Sequence, residues 1–348
     1  MLSILRAVLR TPGRRVFYWK GHFTMALCVI AQPIHPIGAQ LLRAAGIDVL
    51  QSAGPAALDH EVADADAAIV RDGLNAGQLD GARRLLLEAN HGTGTDKIDV
   101  AHAHRLGIAV SNTPLANVRA VAEHTLHLML AAAHQAVAAD AAARAGNWRF
   151  KYEGRTVSLY GKTLGIVGFG RIGELLCGMA GQGLGMRVLV WSPRADAAHI
   201  RSFGAQVADS FGQLLQQADV LSLHRPLRPD TAHTINVATL AQMKTDAIIV
   251  NTSRGGLIDE AALVEALRAG RIGGAGLDVF AQEPLAASSP LAALPNVVLS
   301  PHIAGSSQEA LHATASQCAA QVIAVLSGKQ PENLLDASVW GRRRFANG

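Results

Sequence analysis

The stretch Leu164-Gly-Ile-Val-Gly-Phe-Gly-Arg-Ile-Gly173 is the part of the chain that decides its fold. It begins with a short apolar run typical of a buried strand, after which Gly168, Gly170 and Gly173 stand in the spacing G-x-G-x-x-G. The first glycine permits a tight turn, the second lets the backbone approach a pyrophosphate, and the third lets the next helix pack on the strand. The stretch therefore predicts a dinucleotide-binding loop at the start of a helix. The expected contacts are Gly168, Gly170, Arg171, Ile172 and Gly173.

Further apolar runs of strand length surround and follow this loop, separated by segments with polar faces. They lie at Leu164–Val167, Val188–Trp191, Val220–Leu223, Ile248–Val250, Ala275–Leu277 and Val297–Leu299. Continuous apolar runs indicate strands that are buried on both faces, as in a parallel sheet flanked by helices. This part of the chain is therefore predicted to be an α/β domain.

A smaller series of the same kind precedes the glycine loop. Strand-like runs at Ala26–Ile30, Ala67–Val70 and Arg84–Glu88 alternate with helical segments, the first of them at Ile37–Ala45. The segment Ala116–Ala143 carries apolar residues on nearly every face and contains no proline or glycine. This pattern predicts one long buried helix that joins or underlies two domains.

Composition and charge limit the classes of function. The 348 residues are 49% hydrophobic and 17% charged, which is typical of a chain that buries two cores. The net charge of +4 is concentrated towards the two ends, so we expect no nucleic-acid partner. No apolar run reaches the roughly 20 residues of a membrane span, and we expect no membrane partner. Cys28, Cys177 and Cys318 form no ligand cluster, which predicts no metal, no disulfide and a cytoplasmic location.

The residues after the second strand of the glycine-loop domain bear on the choice of cofactor. In dinucleotide-binding folds an acidic residue about 20 positions after the loop holds the ribose 2′-hydroxyl. This chain has Trp191-Ser192-Pro193-Arg194 there instead. Ser192 would not repel a 2′-phosphate and Arg194 can pair with one, which favours NADP over NAD. The alternative is that Arg194 points into solvent and takes no part in the choice of cofactor.

Three motifs each follow a predicted strand: Asn251-Thr-Ser-Arg-Gly-Gly256, Gly276-Leu-Asp-Val-Phe-Ala-Gln-Glu-Pro284 and Ser300-Pro-His-Ile-Ala-Gly305. The carboxyl ends of parallel strands meet at the edge of the sheet where ligands bind. Reduction of a 2-keto acid needs a cation for the carboxylate and ketone, and an acid that protonates the developing alkoxide. Arg254 suits the first task and His302 the second, with Glu283 as the partner of the imidazole. We therefore expect an oxidoreductase with these three catalytic residues.

These motifs make the chain resemble the D-isomer-specific 2-hydroxyacid dehydrogenases, which include glyoxylate/hydroxypyruvate reductases and phosphoglycerate dehydrogenases. Matching stretches run from about Met25 to about Leu335. They also include His91-Gly-Thr-Gly-Thr-Asp-Lys-Ile-Asp99, Gly107-Ile-Ala-Val-Ser-Asn-Thr-Pro114, Val121-Ala-Glu-His124 and Pro226-Leu-Arg-Pro-Asp-Thr231. The resemblance implies an NAD(P)-dependent enzyme that interconverts a small 2-keto acid and a D-2-hydroxy acid.

The resemblance also implies roles for single positions. Arg254 would bind the substrate, His302 would be the acid/base, and Glu283 its partner. Cofactor contacts beyond the glycine loop would come from Ser192, Arg194, Arg225, Thr252, Ser253, Asp278 and Thr93. Substrate contacts would come from Gly92, Thr93, Gly94, Arg71 and Arg254. Arg225 stands where the family often has a small or apolar residue, so it either contacts the cofactor or only covers it.

The side chain of the substrate is left open by the sequence. Arg71 matches a position that contacts phosphate in some phosphoglycerate dehydrogenases, or it is an ordinary surface arginine. A glyoxylate/hydroxypyruvate-type reductase is the favoured function, with phosphoglycerate dehydrogenase-type activity as an alternative. A non-catalytic dinucleotide-sensing binding protein and a formate- or phosphite-type dehydrogenase are further alternatives. The complete set of Arg254, Glu283 and His302 favours keto-acid chemistry.

For the architecture, the resemblance implies two Rossmann-like domains. A parallel-sheet dinucleotide-binding domain would span 117–308, and a smaller flavodoxin-like substrate domain would span 25–116 and 309–335, completed by the C-terminal helix predicted at Gln308–Leu326. Residues 1–24 look superficially like a transit peptide, but we expect them to be a poorly ordered leader or to precede the true start at Met25, and we expect 336–348 to be a tail. A homodimer held partly by the long helix is also implied. Because the chain ends soon after the matching stretches, we expect no C-terminal regulatory domain.

Overall fold

The computed structural model describes residues 17–19, 22–153 and 156–344. Within them the chain divides into two compact units. Unit 1 contains the residues up to Asn117 together with those from Ser307 onward, and unit 2 runs from Val118 to Ser306. Each unit is built on a parallel sheet, which confirms the predicted α/β class.

The strands in the described part of the chain are β1 (Phe17–Trp19), β2 (His22–Thr24), β3 (Leu27–Ile30), β4 (Asp48–Gln51), β5 (Ala67–Val70), β6 (Leu87–Asn90), β7 (Ala109–Ser111), β8 (Thr163–Val167), β9 (Arg187–Trp191), β10 (Gln206–Val207), β11 (Val220–Leu223), β12 (Ile248–Asn251), β13 (Gly274–Leu277) and β14 (Val297–Leu299). The α-helices are α1 (Ile37–Ala44), α2 (Pro55–Glu61), α3 (Ala76–Gly81), α4 (Val100–Arg105), α5 (Val118–Ala133), α6 (Ala136–Arg144), α7 (Arg171–Gly178), α8 (Ala197–Ser202), α9 (Phe211–Gln217), α10 (Val237–Leu240), α11 (Glu260–Arg268) and α12 (Gln308–Leu326). Shorter helical turns lie at Trp148–Tyr152, Met179–Gly183, Gly255–Leu257, Pro290–Ala293 and Ala337–Arg342.

The sheet of unit 2 has the order β10-β9-β8-β11-β12-β13-β14, and all neighbouring strands are parallel. The order of the strands reverses between β8 and β11. In open α/β sheets a nucleotide binds outside the carboxyl ends of the strands at such a reversal. The glycine loop follows β8, so the topology places it at this point.

Unit 2 buries both faces of its sheet. Along β8, Ile166 belongs to the apolar cluster on one face and Val167 to the cluster on the other. Helix α5 packs so closely on β13 that a Cβ added at Gly276 would lie 2.9 Å from the Cβ of Leu128. The continuous apolar strands predicted from the sequence are explained by this burial on both faces.

Unit 1 has the sheet order β4-β3-β5-β6-β7, again with parallel neighbours. This is the flavodoxin-like order, in which the second strand lies outside the first, and the prediction is confirmed. Helix α12 completes the unit, because Cys318 and Val322 share an apolar cluster with Cys28 and Ile30 of β3. The helix begins and ends at the predicted residues, Gln308 and Leu326.

The prediction of one long buried helix over Ala116–Ala143 is wrong. Gln135 has a φ of 50°, in the left-handed region, and it separates α5 from α6. Helix α5 buries one face, whereas no residue of α6 is buried. Alanine-rich composition does not distinguish the two, because alanine is a strong helix former whether or not it is buried.

The strand predicted at Arg84–Glu88 is displaced in the structure to Leu87–Asn90. Arg84 instead forms an ion pair with Asp66 at 2.7 Å. Pairing with β5 sets the register, with Asn90 opposite Val70. The displacement matters for the site because it brings His91 to the carboxyl edge of the sheet. Strands β1, β2, β4, β7 and β10 were not predicted.

The ends of the chain differ in part from the prediction. The tail expected from residue 336 is folded as far as it is described: Val339 is completely buried, Trp340 packs on the core of unit 1, and the Arg344 N–H donates to the Gly107 carbonyl at 2.9 Å. Apolar side chains in this segment explain why it packs rather than remaining in solvent. The predicted leader, residues 1–24, lies largely outside the described residues. The part of it that is described consists mainly of β1 and β2, which form an antiparallel pair.

No helix in the described part of the chain is long and apolar enough to cross a membrane. Cys28, Cys177 and Cys318 are all buried free thiols. The described residues also contain no group of three or more side chains placed to hold a metal ion.

Candidate active site

The glycine loop fits the pyrophosphate of a dinucleotide. Gly168 has a φ of 92°, and a Cβ there would lie 2.6 Å from the carbonyl oxygen of His224, so only glycine is compatible with both features. Gly170 is the N-cap of α7, and a Cβ at this position would meet nothing within 4 Å, which leaves an open approach to the helix N-terminus. A Cβ at Gly173 would lie 3.0 Å from the Gly168 carbonyl oxygen. Helix α7 starts at Arg171 and continues through Ile172.

Ser192 is tied to the glycine loop. Its hydroxyl accepts a hydrogen bond from the Phe169 N–H at 3.2 Å. The preceding residue, Trp191, accepts a backbone hydrogen bond from Gly168 at 2.9 Å and has the Arg225 guanidinium 5.1 Å from the centre of its ring. Arg225 therefore lies against an aromatic face beside the loop, where burial lowers its pKa.

Two arginines lie beside the carboxylate of Asp230 next to this loop, and a third, Arg225, interacts with it electrostatically. Arg194, whose side chain is 70% exposed, lies 4.0 Å from one oxygen of Asp230, and Arg228 lies 3.6 Å from the other. Both also contribute to the electrostatic surroundings of Arg225. Three guanidinium cations against one anion leave net positive charge here. Arg228 belongs to the motif Pro226–Thr231 noted in the sequence. Nothing in its distance along the chain from the glycine loop indicated that it would add positive charge beside that loop.

The loop that carries Arg254 is shaped by its own residues. The buried amide of Asn251 donates to the Arg254 carbonyl at 2.8 Å and accepts from the Ser253 N–H at 3.0 Å. The Ser253 hydroxyl donates to the Arg225 carbonyl at 2.6 Å, which joins the loops after β11 and β12. A Cβ at Gly255 would lie 1.9 Å from the Phe280 carbonyl carbon. This glycine therefore allows the loop after β12 to touch the loop after β13.

His302 and Glu283 form the pair predicted from the sequence. Nδ1 of His302 lies 2.8 Å from Oε2 of Glu283, and the other carboxylate oxygen accepts from the Phe280 N–H at 3.2 Å. His302 has a φ of 53°, unusual for a residue with a Cβ. Because the carboxylate engages Nδ1, the second ring nitrogen, Nε2, is the atom that can exchange a proton with a ligand.

Asp278 anchors the loop that carries His302. Its carboxylate accepts from the Ser300 hydroxyl at 2.6 Å and from the N–H groups of Ile303 and Ala304, both at 2.9 Å. Asp278 is completely buried, and burial raises the pKa of its carboxyl group. Hydrogen bonds from His124, Ser300 and the two backbone N–H groups outweigh burial and hold the pKa below its usual value.

His124 was noted in the sequence only as part of a family motif. Its Nε2 lies 2.9 Å from the Ser300 hydroxyl and 3.5 Å from Oδ1 of Asp278. The next residue, Thr125, has its hydroxyl 2.8 Å from that of Thr252. Helix α5 thus contacts the loops after β12, β13 and β14 through polar side chains, a link that only the tertiary structure reveals.

The remaining predicted residues belong to unit 1 and form a second group. Gly92, Thr93 and Gly94 follow β6, and the Asn90 amide donates to the carbonyls of Gly92 and Gly94 at 3.2 and 2.6 Å. The Thr93 hydroxyl donates to the Asn117 side chain at 3.1 Å. Arg71 follows β5, and its Nε donates to the Pro33 carbonyl at 3.1 Å. All four residues lie at the carboxyl edge of the unit 1 sheet.

The chain is similar in sequence to one family of known proteins. The profile described as "D-isomer specific 2-hydroxyacid dehydrogenase, NAD binding domain" matches residues 126–304. Glyoxylate reductase from Aeropyrum pernix is 42% identical over 286 residues, which are 80% of this chain and 84% of that protein. D-3-phosphoglycerate dehydrogenase from Methanocaldococcus jannaschii is 38% identical over 316 residues, which are 90% of this chain.

A solved structure shows the same fold. An NADPH-dependent glyoxylate/hydroxypyruvate reductase from Sinorhizobium meliloti, in complex with NADP and malonate, aligns with a TM-score of 0.79 at 27% identity. The alignment covers 90% of this chain and 97% of that one. By contrast, this chain spans only 60%, 55% and 50% of the length of three phosphoglycerate dehydrogenases that it matches.

The glycine loop lies at the strand reversal and the histidine–carboxylate pair lies at the same edge of the sheet, an arrangement typical of the dinucleotide-binding class of α/β proteins. The family profile and the similarity to whole relatives narrow this class further. The chain belongs to the D-isomer-specific 2-hydroxyacid dehydrogenase family.

Proposed function

We propose that this protein is an oxidoreductase that transfers a hydride between NAD(P)H and a small 2-keto acid, giving a D-2-hydroxy acid. The 2.8 Å contact between Nδ1 of His302 and Oε2 of Glu283, at the same sheet edge as the glycine loop, carries the proposal. Similarity to glyoxylate reductases favours a glyoxylate/hydroxypyruvate-type substrate. Unit 2 is then the dinucleotide-binding domain and unit 1 the substrate domain.

The bound reduced dinucleotide supplies the hydride. Arg254 binds the carboxylate of the keto acid and draws electron density from the ketone oxygen, for which its planar set of N–H donors is suited. His302 donates a proton from Nε2 to the developing alkoxide, and Glu283 stabilises the charged imidazole through Nδ1. The Gly92, Thr93 and Gly94 backbone is assigned to the substrate carboxylate. Thr252, Ser253 and Asp278 are assigned to the nicotinamide end of the cofactor.

A direct assay tests this function. Oxidation of NADPH and NADH is followed with glyoxylate, hydroxypyruvate and pyruvate, using the wild type, His302→Ala and the surface control His60→Ala. Loss of the acid/base group lowers kcat by about 100- to 10,000-fold, while dinucleotide binding measured by calorimetry stays unchanged. The control keeps wild-type activity. A His302→Ala variant with full activity would reject the assignment.

Phosphoglycerate dehydrogenase-type activity is the second candidate, favoured by identities of 38–39% to three such enzymes. Arg71 at the carboxyl edge of unit 1 is the residue that would contact a phosphate. Reduction of 3-phosphohydroxypyruvate at a higher kcat/KM than hydroxypyruvate, lost in Arg71→Ala, would favour this candidate. Equal effects of Arg71→Ala on both acids would count against it.

For the cofactor we propose a preference for NADP over NAD. The support is the absence of an acidic residue at Ser192 and the positive charge supplied by Arg194, Arg225 and Arg228 beside the glycine loop. A charge-assisted contact with a 2′-phosphate contributes roughly 1.5–3 kcal/mol. Asp230 reduces this effect, since it already neutralises part of the charge.

We further propose that the protein is a homodimer. Three large apolar side chains are between 60% and 78% exposed. They are Val137 on α6, and Trp148 and Tyr152 on the adjoining helical turn. Exposed apolar side chains of this size are typical of protein interfaces. Sedimentation of the wild type and of a Trp148→Lys variant tests the proposal, because a charge there should shift the population towards monomer.

The compartment is proposed to be cytoplasmic. Three free, buried thiols are compatible with a reducing environment, in which disulfides rarely form. Fractionation of cells that produce the protein at its natural level would decide this point.

A further inference from the structure

His124 is a partly buried histidine of α5 that contacts the residues after β13 and β14. Its side chain is 17% exposed. Its Nε2 lies 2.9 Å from the Ser300 hydroxyl oxygen and 3.5 Å from Oδ1 of Asp278. All three residues belong to unit 2. Ser300 is 176 positions further along the chain, so the contact exists only once the unit is folded.

The packing of α5 on β13 explains why His124 reaches Asp278. Leu128 contacts the strand at Gly276, where an added Cβ would lie 2.9 Å from the Leu128 Cβ. His124 is four residues before Leu128, on the same face of the helix and about 6 Å away along its axis. Asp278 is two residues after Gly276, about 6.6 Å further along the extended chain. The two spacings nearly agree, so the close contact of Leu128 with Gly276 brings His124 to Asp278.

The direction of each hydrogen bond in this group follows from the charge on Asp278. Hydrogen bonds hold the pKa of its carboxyl group below the usual value, so at neutral pH the carboxylate can only accept. The Ser300 hydroxyl has one proton and donates it to Oδ1 of Asp278 at 2.6 Å. The Ser300 oxygen must then accept from His124, which requires a proton on Nε2 of the imidazole.

The same carboxylate holds the loop that carries His302. It accepts from the N–H groups of Ile303 and Ala304, both at 2.9 Å, while the Asp278 carbonyl oxygen accepts from the His302 N–H at 2.8 Å. A carboxylate is a stronger acceptor than a neutral acid, and the hydrogen bond from His124 favours the charged form of Asp278. His124 therefore strengthens the contacts that fix this loop.

Helix α5 has other contacts that hold it against the sheet. The hydroxyl of Thr125 is completely buried and donates to the Val121 carbonyl at 2.7 Å. Its oxygen then accepts from the Thr252 hydroxyl at 2.8 Å. Together with Leu128, this contact secures the helix without the His124 side chain. The His124 imidazole is consequently free to serve the loop after β14.

We propose that His124 is a positioning residue for the acid/base His302, acting as an Nε2–H donor through Ser300 and Asp278. The inference rests on the proposed function, in which His302 donates the proton to the developing alkoxide. By fixing the loop after β14, His124 helps to set the point from which Nε2 of His302 meets the substrate. Its contribution is therefore to the chemical step and not to binding of the dinucleotide.

The position of the proton can be measured in the wild-type protein. Long-range ¹H–¹⁵N correlation spectra of protein labelled with ¹⁵N-histidine show which ring nitrogen carries a proton. The signals of His124 are those missing from the spectrum of His124→Gln. We expect a proton on Nε2. An imidazole protonated on Nδ1 alone would overturn the proposal.

Three variants at this position test the effect on the chemical step, with glyoxylate or hydroxypyruvate as the substrate. His124→Leu removes the donor. His124→Gln places an amide N–H at nearly the same distance along the side chain as Nε2, whereas His124→Asn places it where Nδ1 lies. We expect kcat to fall about 5- to 10-fold in the Leu and Asn variants and to return to within about 2-fold of wild type in His124→Gln. Dinucleotide affinity, measured by calorimetry, should stay unchanged in all three.

His134→Leu is the control, because His134 is an exposed histidine directly after α5, and it should keep the wild-type kcat. A kcat no higher in His124→Gln than in His124→Leu, or parallel losses of kcat and dinucleotide affinity, overturns the positioning role and leaves the proposed function intact. The spectra and the comparison of the Gln and Asn variants decide the matter even if His124→Leu does not fold. A wild type that reduces no 2-keto acid overturns the proposed function and the positioning role together.

Discussion

The His302 N–H donates a hydrogen bond to the Asp278 carbonyl oxygen at 2.8 Å, and the carboxylate of the same aspartate holds the next two backbone N–H groups, those of Ile303 and Ala304. One buried residue after β13 therefore controls the loop after β14. The loop holds His302 in a left-handed conformation that few residues with a Cβ adopt. Asp278 consequently acts as a positioning residue for the proposed acid/base, in addition to the role near the cofactor implied by the family.

Asp278→Asn tests this positioning. An amide can replace only one of the two acceptor oxygens, so the loop carrying His302 should lose its fixed geometry. We expect kcat to fall about 10- to 100-fold with a smaller change in dinucleotide affinity. Kinetics and calorimetry measure the two effects, with the exposed Asp246→Asn as the control. Equal losses in kcat and in dinucleotide binding would instead indicate a direct cofactor contact only. Ser300→Ala removes one donor and should have a weaker effect.

Gly255 provides a test of how the loops of the site approach each other. Its missing Cβ would collide with the Phe280 backbone, which cannot move without displacing the segment that carries Glu283. Gly255→Ala should lower the free energy of unfolding by at least about 3 kcal/mol and abolish activity. Gly256→Ala is the matched control, because its Cβ would meet the movable end of the Leu227 side chain. Similar losses in the two variants, measured by urea unfolding, would contradict this account.

Glu88 makes the stability of unit 1 depend on pH. Its carboxyl group is buried, and burial raises the pKa to about 7 despite a hydrogen bond from the Leu74 N–H, with the nearby Asp99 raising it further. The folded state therefore favours the neutral acid, whereas an unfolded glutamate ionises near pH 4.5. The contribution of Glu88 to the free energy of unfolding is fully present below pH 4.5 and is lost as the pH rises to 7. The free energy of unfolding falls by roughly 3 kcal/mol over this range.

Glu88→Gln should consequently stabilise the protein at pH 8 and have little effect at pH 5. The amide oxygen can still accept the hydrogen bond from Leu74, so packing is preserved. Urea unfolding at both pH values provides the measurement, and the exposed Glu332→Gln is the control. An equal change at the two pH values would show that Glu88 is not buried as an acid.

Ser192→Asp tests the proposed cofactor preference. A carboxylate at the end of β9 would repel a 2′-phosphate and bind a ribose diol, so the ratio of kcat/KM for NADPH to that for NADH should fall by about 10- to 100-fold. Asp230→Asn should change the ratio in the opposite direction, because it frees Arg194 and Arg228. The surface variant Ser202→Asp should leave it unchanged. A wild type that strongly prefers NADH would reject the proposal before any variant is made.

Much of the fold could be predicted because it depends on local patterns. Short apolar runs located most strands of unit 2, and the glycine spacing located the loop after β8. The displaced strand β6 shows the limit, because Leu85 and Leu86 are as apolar as the true strand residues. Only pairing with β5, and the ion pair of Arg84 with Asp66, decide where that strand begins.

The candidate site was predictable in its residue types but not in its supporting contacts. Arg254, Glu283 and His302 are recognisable from motifs, and the pairing of the last two is present in the structure. Their catalytic roles remain predictions. The links from His124 to Ser300 and from Asn251 to the Arg254 backbone were not foreseen, since side chains far apart in sequence, or used only to shape a loop, leave no characteristic spacing.

The amino-acid sequence by itself determined the dinucleotide loop, the α/β class and the family, because each depends on short-range spacing and on burial that repeats along the chain. The tertiary structure alone decided that Asp278 anchors the loop of His302 and that Gln135 divides the predicted long helix. The first of these features arises where the carboxyl ends of neighbouring strands meet, and the second where the chain turns between two helices. Their energies depend on the burial and pairing of atoms that the chain order does not place together.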